Sequence, residues 1–355
     1  MATNSKELFE ELVTILINER ASDLHLSEGR QPIIRVSGSL LPLTKFQPMT
    51  HQDMKGILDE ILDDKKRAIF AEKKEVDFAY QKEDEARFRG NAFYQLNKIS
   101  IALRIIPKQI KTLKDLGLPS ILEEFTNKQQ GFFLVVGPTG QGKSTTLATM
   151  IDMINEKRLE HIITIEDPIE YIFESKKSII DQREVAQDTP DFSTALQGMF
   201  RQDIDVLMIG EMRTPSDISV AVTAAETGHL VFSTLHTNTA SQTIERIIDS
   251  FDSTQQTQIR IQLASSLLGI LSQRLIPRVS GGLVPAIELL INNTAVANLI
   301  RENRTHEINS VIETGSDLGM IDLNRYLSDL VKAGEISIEN AYLYSQNTKG
   351  LDRML

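Results

Sequence analysis

The sequence predicts an α/β protein: a central domain built on a parallel sheet, preceded by a small α+β domain and followed by a helical segment. The central prediction rests on four compact apolar segments that alternate with longer helical stretches, FFLVV, HIITIE, DVLMIG and HLVFST. This alternation is typical of a parallel sheet covered by helices on both faces. Short β-like segments precede this region, and amphipathic helical segments follow it.

The small domain is predicted over residues 1–107. Residues 5–19 place apolar side chains at helical spacing, a second helical stretch lies near residues 50–72, and β-like pieces such as PIIRVSG and ARFRGNAFYQL surround it. Residues 108–130 contain Pro119 and many polar side chains. We therefore expect a linker there.

The remaining chain divides into an α/β core over residues 131–290 and a helical part over residues 291–355. In the helical part, Gly315 and Gly334 follow apolar-periodic segments. Glycine in this position commonly ends a helix, so both are expected to be C-cap glycines.

Composition excludes several classes of protein. The chain has 355 residues, a formal net charge of −11 and no cysteine. Disulfides, a thiolate zinc site and a cysteine nucleophile are therefore excluded. The acidic balance argues against a nucleic-acid binder, because phosphate affinity depends on clusters of Lys and Arg. The N-terminus lacks a signal-peptide pattern and no apolar run approaches the ~20 residues of a membrane span, so we expect a cytoplasmic protein.

A phosphate-binding loop is predicted from Gly137 to Ser144, where GPTGQGKS matches G-x-x-x-x-G-K-S between an apolar strand and a helical segment. The glycines let backbone N–H groups face phosphate oxygens at the positive end of the helix. Lys143 adds a charge at the β- and γ-phosphates, and Ser144 offers a hydroxyl to Mg²⁺. ATP is the expected nucleotide because the chain has no guanine-reading N-K-x-D motif. The predicted nucleotide-binding residues are Gly137, Thr139, Gly140, Gln141, Gly142, Lys143, Ser144 and Thr145.

Two of the predicted strands end in acidic residues. HIITIEDPIE carries Glu166 and Asp167 after its apolar run, and DVLMIGEMR carries Glu211. Ligands of open parallel sheets bind outside the carboxyl ends of the strands, so these acids and the phosphate-binding loop are expected at one edge. Hydrolysis of a nucleoside triphosphate at this edge needs a carboxylate that orders the metal ion and a group that positions or deprotonates the attacking water. Glu166 and Glu211 are the candidates.

The stretch GHLVFSTLHT places His229 and His236 at the two ends of one predicted strand. Seven strand residues span ~23 Å and an odd separation puts the side chains on opposite faces, so the pair cannot bind one zinc ion. His236 lies at the carboxyl end and is a candidate sensor of the γ-phosphate, with Thr234 as a second candidate. For His229 a structural or subunit-interface role stays open.

Long motifs extend over nearly the whole chain. They are ASDLHLS, ARFRGNAFYQ, LRIIP, GPTGQGKSTT, HIITIEDPIEY, QREV, DVLMIGEMR, AAETGHLVFSTLHT, AVANLIRE and THEINSVIETGSDLGM. In this order they resemble those of type IV pilus retraction ATPases of the twitching-motility PilT/PilU type, within the secretion-ATPase superfamily. The resemblance implies a PAS-like first domain and a RecA-like ATPase core, assembled as a hexameric ring with ATP at subunit boundaries.

The resemblance also implies roles for individual side chains. Carboxylates at the strand ends would activate water and coordinate the metal, both histidines would belong to the active site, and arginines of a neighbouring subunit would reach the nucleotide. An arginine supplied in trans is worth ~10³–10⁵ in rate and ties hydrolysis to movement between subunits. The implied catalytic residues are Glu166, Glu211, His236, His229, Arg89 and Arg104, with Arg87 as a further candidate. The implied magnesium ligands are Ser144 and Glu211.

The implied function is an ATP-driven motor that depolymerises a pilus. Its implied partners are further copies of the chain in a homo-hexamer, the inner-membrane platform protein of the pilus and a paralogous retraction ATPase, with no nucleic acid. The implied location is cytoplasmic, at the inner face of the cytoplasmic membrane.

Three single positions and one short segment depart from the family pattern; in the segment, GMIDLN stands where G-M-Q-T-L-D is usual. Gln141 stands where Ser is commoner, and we expect this change to be tolerated because the position contributes mainly backbone. Ile204 replaces a Pro before the DVLMIG strand. Ala297 stands where the retraction-associated A-I-R-N-L-I-R-E segment has an Arg.

Three rival functions stay open at this point. A pilus-assembly or type II secretion ATPase usually has a longer N-terminal region and a tetracysteine zinc module, and this chain has neither. A nucleic-acid translocase is disfavoured by the acidic balance. A non-catalytic scaffold is disfavoured by the complete set of site residues.

Overall fold

The computed structural model describes residues 5–36, 38–82, 86–107 and 109–355. The chain divides into two compact units, Met1–Lys108 and Gln109–Leu355. The predicted fold class is confirmed: an α+β unit with an antiparallel sheet comes first, and a largely parallel sheet with a helical C-terminal segment follows. Within the described residues, no helix is long and apolar enough to cross a membrane.

The first unit packs helices on one face of an antiparallel sheet. Its elements are α1 (Ser5–Asn18), β1 (Asp23–Ser27), β2 (Ile33–Val36), β3 (Ser39–Pro42), α2 (His51–Ile61), α3 (Asp64–Lys73), β4 (Glu75–Lys82), β5 (Ala86–Gln95) and β6 (Lys98–Ile106). The strand order is β3-β2-β1-β6-β5-β4. Phe9, Leu12 and Leu16 of α1 are fully buried, as their helical spacing predicted. Each such side chain stabilises the unit by about 1.5–3 kcal/mol.

The second unit is built on a larger sheet. Its strands are β7 (Gly131–Val136), β8 (His161–Glu166), β9 (Ile179–Glu184), β10 (Val206–Ile209), β11 (Leu230–Leu235), β12 (Leu267–Pro277) and β13 (Leu283–Ile291). The order is β13-β12-β7-β11-β10-β8-β9, in which β13 pairs antiparallel and the other pairs are parallel. The four apolar segments that were predicted to be strands form β7, β8, β10 and β11. Their carboxyl ends therefore lie at one edge of the sheet.

Three strands of this sheet were not predicted. In β9, the edge strand IIDQRE is mostly polar and gives little strand signal. In contrast, β12 and β13 are mostly apolar and buried on both faces, with a few buried polar residues, and periodicity does not separate such a pattern from a buried helix.

Helices cover the sheet of the second unit and form its C-terminal segment. They are α4 (Leu113–Leu116), α5 (Leu122–Thr126), α6 (Lys143–Lys157), α7 (Phe192–Met199), α8 (Pro215–Glu226), α9 (Ala240–Asp249), α10 (Ser253–Ser266), α11 (Thr294–Arg301), α12 (Ile308–Thr314), α13 (Leu323–Lys332), α14 (Ile338–Tyr344) and α15 (Thr348–Leu351), with short 3₁₀ turns at Thr305–Glu307 and Ser316–Leu318. Gly334 follows α13 with φ of 71°, the predicted left-handed cap. Gly315 ends α12 with φ of −91°, outside the left-handed region.

Residues 109–130, where we expected a linker, pack into the core of the second unit. Leu113, Leu122 and Phe125 are buried in a cluster with residues of β7. The Phe125 ring lies 4.4 Å from the Phe133 ring, measured between centroids. In the sequence these buried apolar residues are interspersed with exposed polar ones, so composition alone suggested a connector.

Candidate active site

The phosphate-binding loop has the strand–turn–helix geometry on which its prediction depended. β7 ends at Val136, and α6 begins at Lys143 with Gly142 as its N-cap at φ of 79°. Gly137 has φ of 147°, and a Cβ atom there would lie 2.4 Å from the carbonyl oxygen of Gln273. Both positions therefore need glycine. The first-turn N–H groups of a helix lack partners within the helix and, with the helix dipole, bind anions.

Lys143 places a buried positive charge inside this loop. It is 7% exposed, and its Nζ donates to the carbonyl oxygens of Gly137 at 2.8 Å and Pro138 at 3.0 Å. Burial lowers the pKa of Lys143, while the negative charges of Glu211 and Glu170 oppose that shift. Phosphate oxygens would be stronger partners for this ammonium than neutral carbonyls are.

His236 connects this lysine to a carboxylate. Its Nδ1 lies 3.3 Å from Lys143 Nζ and 3.4 Å from the Thr139 hydroxyl, and its Nε2 lies 3.1 Å from Glu211 Oε1. An ammonium can only donate, so Nδ1 accepts and the ring proton resides on Nε2, from which it is donated to Glu211. The side chains of His236 and Glu211 are 44% and 31% exposed, so both can meet a ligand.

Glu211 is the centre of a charge network at the end of β10. Its Oε2 lies 3.4 Å from Arg213 Nε, and Arg213 Nη1 donates to Asp167 Oδ2 at 2.8 Å. The acids after β8 and β10 are therefore joined through one arginine. Arg213 was not predicted from the sequence, although it stands two residues after the strand-end acid Glu211, which was a usable signal.

Glu166 ends β8 and is 6% exposed. Burial raises its pKa to about 7. The Thr164 hydroxyl and the Gln182 amide donate to its Oε1 at 2.6 Å and 3.3 Å, and the Glu170 N–H donates to Oε2 at 3.5 Å. These bonds favour the ionised form and restrain the shift. The result is a fixed carboxyl group that titrates near neutral pH.

Other predicted residues of the loop have side-chain contacts of their own. Ser144 lies half-buried in the first turn of α6, and the Thr145 hydroxyl lies 2.8 Å from the Tyr171 hydroxyl. Our expectation that position 141 contributes mainly backbone is wrong, because Gln141 Oε1 accepts the Leu275 N–H at 2.6 Å. Thr234, the second sensor candidate, donates its hydroxyl to the Gly210 carbonyl at 2.6 Å.

His229 lies at the amino end of β11, at the opposite end of the strand from His236. Its Nδ1 lies 3.0 Å from the Ala224 carbonyl oxygen, and its ring contacts Phe200 edge-on at 5.8 Å between centroids. The structure therefore does not bring His229 into the cluster around His236 in the same chain.

The predicted arginines lie on the sheet of the first unit. Arg89 of β5 and Arg104 of β6 are cross-strand partners. Arg87 lies on β5, two residues before Arg89. Arg104 Nε donates to Asp23 Oδ1 at 2.8 Å, and its side chain is 68% exposed. Asp23, which sequence reasoning missed, is therefore the residue that orients Arg104.

Comparisons with known proteins agree over most of the chain. The family described as type II/IV secretion system protein matches residues 3–316. The type IV pilus retraction ATPase PilT of Pseudomonas aeruginosa is 44% identical over 331 residues, 93% of this chain and 96% of that protein. The type IV pilus ATPase PilU of the same organism is 38% identical over 348 residues, 98% and 91% of the two chains. A crystal structure of the pilus retraction motor PilT with bound ADP is 45% identical, covers 98% of both chains and superimposes with a TM-score of 0.91.

Proposed function

The chain belongs to the type II/IV secretion system protein family, and on that premise we propose that it is an ATPase motor that retracts type IV pili. The observation that carries the proposal is the chain of contacts from Lys143 through His236 to Glu211. It lies beside a phosphate-binding loop, in a protein that is similar along nearly its whole length to a pilus retraction ATPase.

Hydrolysis of ATP requires stabilisation of the phosphate charge and a positioned water. Lys143 supplies a fixed positive charge inside the loop. Glu166 is the candidate base: with a pKa of about 7, it is partly ionised near neutral pH and still basic enough to accept a proton from the attacking water. The bonds from Thr164 and Gln182 hold its carboxyl group in one orientation.

His236 is proposed to sense the γ-phosphate. A phosphate that binds Lys143 competes with His236 Nδ1 for the ammonium. Because His236 Nε2 donates to Glu211, movement of the ring changes the position of that carboxylate. Binding of a phosphate at Lys143 would in this way change the position of Glu211, which follows β10.

The residues of this site fit a magnesium ion. Mg²⁺ usually binds one or two protein oxygens together with phosphate oxygens, and Ser144 and Glu211 offer a hydroxyl and a partly exposed carboxylate. Within the described ranges, no group of three or more His, Asp and Glu side chains forms a cage for an ion, so a nucleotide would supply much of the coordination. When bound, Mg²⁺ would neutralise charge on the β- and γ-phosphates.

The motor is proposed to act as a hexamer in which Arg89 and Arg104 of one subunit reach the nucleotide of its neighbour. The bond from Asp23 engages Nε of Arg104, and the guanidinium remains largely exposed. Its Nη groups are therefore presented in a fixed orientation, as a residue acting in trans requires. His229 would join the site across the same subunit boundary.

Outside the ring, the proposed partners are the inner-membrane platform protein of the pilus and a paralogous retraction ATPase. The proposed location is the inner face of the cytoplasmic membrane. Full-length similarity to both PilT and PilU supports a place in such a machine.

Deletion of the gene and complementation in the source organism test this function. Deletion should leave surface pili in place and abolish retraction, and the wild-type gene, unlike one encoding Lys143→Ala, should restore it. Purified wild-type protein should hydrolyse ATP without added nucleic acid. Loss of surface pili on deletion would instead indicate an assembly ATPase, and strict dependence on DNA or RNA would indicate a translocase.

A further inference from the structure

The phosphate-binding loop is bound to β12 through the side chain of Gln273. This carboxamide, 3% exposed, donates from Nε2 to the carbonyl oxygen of Gln141 at 2.7 Å. It also accepts at Oε1 from the Thr146 hydroxyl at 2.7 Å. Thr146 lies in the first turn of α6. One buried side chain of β12 therefore contacts both the loop and the helix that follows it.

The side chain of Gln141 makes the return contact. Its Oε1 accepts the N–H of Leu275 at 2.6 Å. The pairing of β12 with β7 ends where Ser272 lies opposite Val136, which is the last residue of β7. Leu275 lies beyond that point, so Gln141 takes the place of a strand partner for its main-chain N–H.

The loop and β12 also pack closely at two glycines, where a side chain would not fit. A Cβ atom at Gly142 would lie 2.9 Å from Gln273 Nε2, and one at Gly137 would lie 2.4 Å from the Gln273 carbonyl oxygen. The next residue, Arg274, donates from Nη2 to the carbonyl and side-chain oxygens of Asn238, both at 2.9 Å. Asn238 is two residues after His236, so one short piece of β12 supports both sides of the site.

We propose that Gln141 and Gln273 are positioning residues that together hold the phosphate-binding loop in the shape that accepts a nucleotide. We call these contacts the Gln141–Gln273 clamp. The inference rests on the proposed function, because it requires that the loop binds ATP. The clamp uses Gln141, one of the positions at which this chain departs from the family pattern.

The clamp should act on nucleotide affinity. A loop that is ordered before binding avoids the conformational cost of ordering on binding. The clamp contacts neither Glu166 nor Glu211 in the contacts described above. Its loss should therefore raise the dissociation constant and KM more than it lowers kcat.

The test uses full-length protein with Gln141→Met, which keeps the length of the side chain and removes the acceptor for Leu275. The Kd of a fluorescent N-methylanthraniloyl ADP, the KM and kcat for ATP, and Tm are measured. We expect Kd and KM to rise about 5-fold, the effect of one lost hydrogen bond, with kcat changed less than twofold. Gln258→Met on the exposed surface of α10 is the matched control and should leave Kd unchanged.

A second variant, Gln273→Glu, keeps the acceptor for Thr146 and replaces the donor that faces Gln141. It should raise Kd at least as much as Gln141→Met. The double variant should show less than the product of the two effects, because both act on the same loop. A wild-type Kd in both single variants, even with a lower Tm, would overturn the clamp as a positioning device.

The proposed function and the clamp fail in different ways. If the wild-type protein binds and hydrolyses nucleotide and the variants match it, the clamp alone is wrong. If the wild-type protein neither binds the ADP probe nor hydrolyses ATP, the proposed function is wrong and the clamp falls with it.

Discussion

Histidines lie at both edges of the parallel sheet, and their rings contact different chemical groups at the two edges. At the carboxyl edge, His236 lies between a lysine and a glutamate, with 3.3 Å and 3.1 Å contacts. At the amino edge, His229 lies against the carbonyl oxygen of Ala224. His161 there lies 3.1 Å from the carbonyl oxygen of Asp203 and 3.0 Å from the Asp181 carboxylate. At the carboxyl edge the histidine contacts the lysine of the phosphate-binding loop, whereas each amino-edge histidine contacts a backbone carbonyl.

This difference follows from the direction of the strands. Parallel strands present helix N-termini and diverging loops at their carboxyl edge, where anions bind. The amino edge has no comparable concentration of backbone donors. Within one chain, the contacts of the His229 side chain at this edge are therefore structural ones, with Ala224, Thr227 and Phe200.

The largest expected effect concerns the carboxyl edge. Lys143→Ala and Glu211→Gln should each lower kcat for ATP by ~10²–10³ or more, because each removes a fixed charge from the site of phosphate chemistry. Phosphate release measures turnover, and far-UV circular dichroism checks the fold. Normal turnover in Glu211→Gln would remove Glu211 from the catalytic set.

A similar loss is expected for Glu166→Gln, in the range ~10²–10⁴ for a lost general base. In the wild-type protein kcat/KM should rise with pH through an apparent pKa of about 7, because Glu166 must be ionised to accept a proton. A pH series of initial rates measures this. A rising limb centred near pH 4 to 5 would contradict the role of burial at this residue.

The pH dependence of stability distinguishes burial from catalysis. Glu166 and Glu288 both have pKa values raised by burial to about 7, against 4.5 for the ordinary group. Their protonated forms stabilise the fold fully below about pH 4.5, and this contribution is lost as pH rises through 7. Each is worth on the order of 3 kcal/mol.

Denaturant unfolding at several pH values measures that loss. Glu166→Gln and Glu288→Gln should each remove about half of the decline between pH 5 and pH 8. Activity should fall in the first variant alone if Glu288 has no part in catalysis. An unchanged pH dependence in both variants would show that these carboxyls are already ionised at low pH.

The smallest effects compare the two histidines directly. His236→Ala should lower kcat about 10-fold with no change in metal content, since it removes a contact in the sensor path. His229→Ala should cost about 1 kcal/mol of stability through the lost bond to Ala224, and in the assembled hexamer the proposed role across the subunit boundary predicts a lower kcat as well. Turnover and denaturant midpoints are measured on both. An equal loss of kcat in folded, assembled His229→Ala would place His229 in the site of the neighbouring subunit.

Much of the fold could be predicted from local sequence. The alternation of apolar segments and helices predicted the parallel sheet, and the spacing of GPTGQGKS predicted the loop between β7 and α6. Strand direction then predicted that Glu166, Glu211 and His236 lie at one edge. The strands β12 and β13 were missed because a strand buried on both faces shows no alternation of exposed and buried residues that identifies it.

The sequence by itself determined which residues stand at strand ends and where the phosphate-binding loop begins, because motif spacing and periodicity are local properties. Tertiary structure alone decided that His236 joins Lys143 to Glu211, that Gln141 binds β12, and that burial raises the pKa of Glu166 to about 7. These contacts join residues far apart in the chain. Desolvation and cross-strand hydrogen bonds depend on such neighbours, which local patterns do not encode.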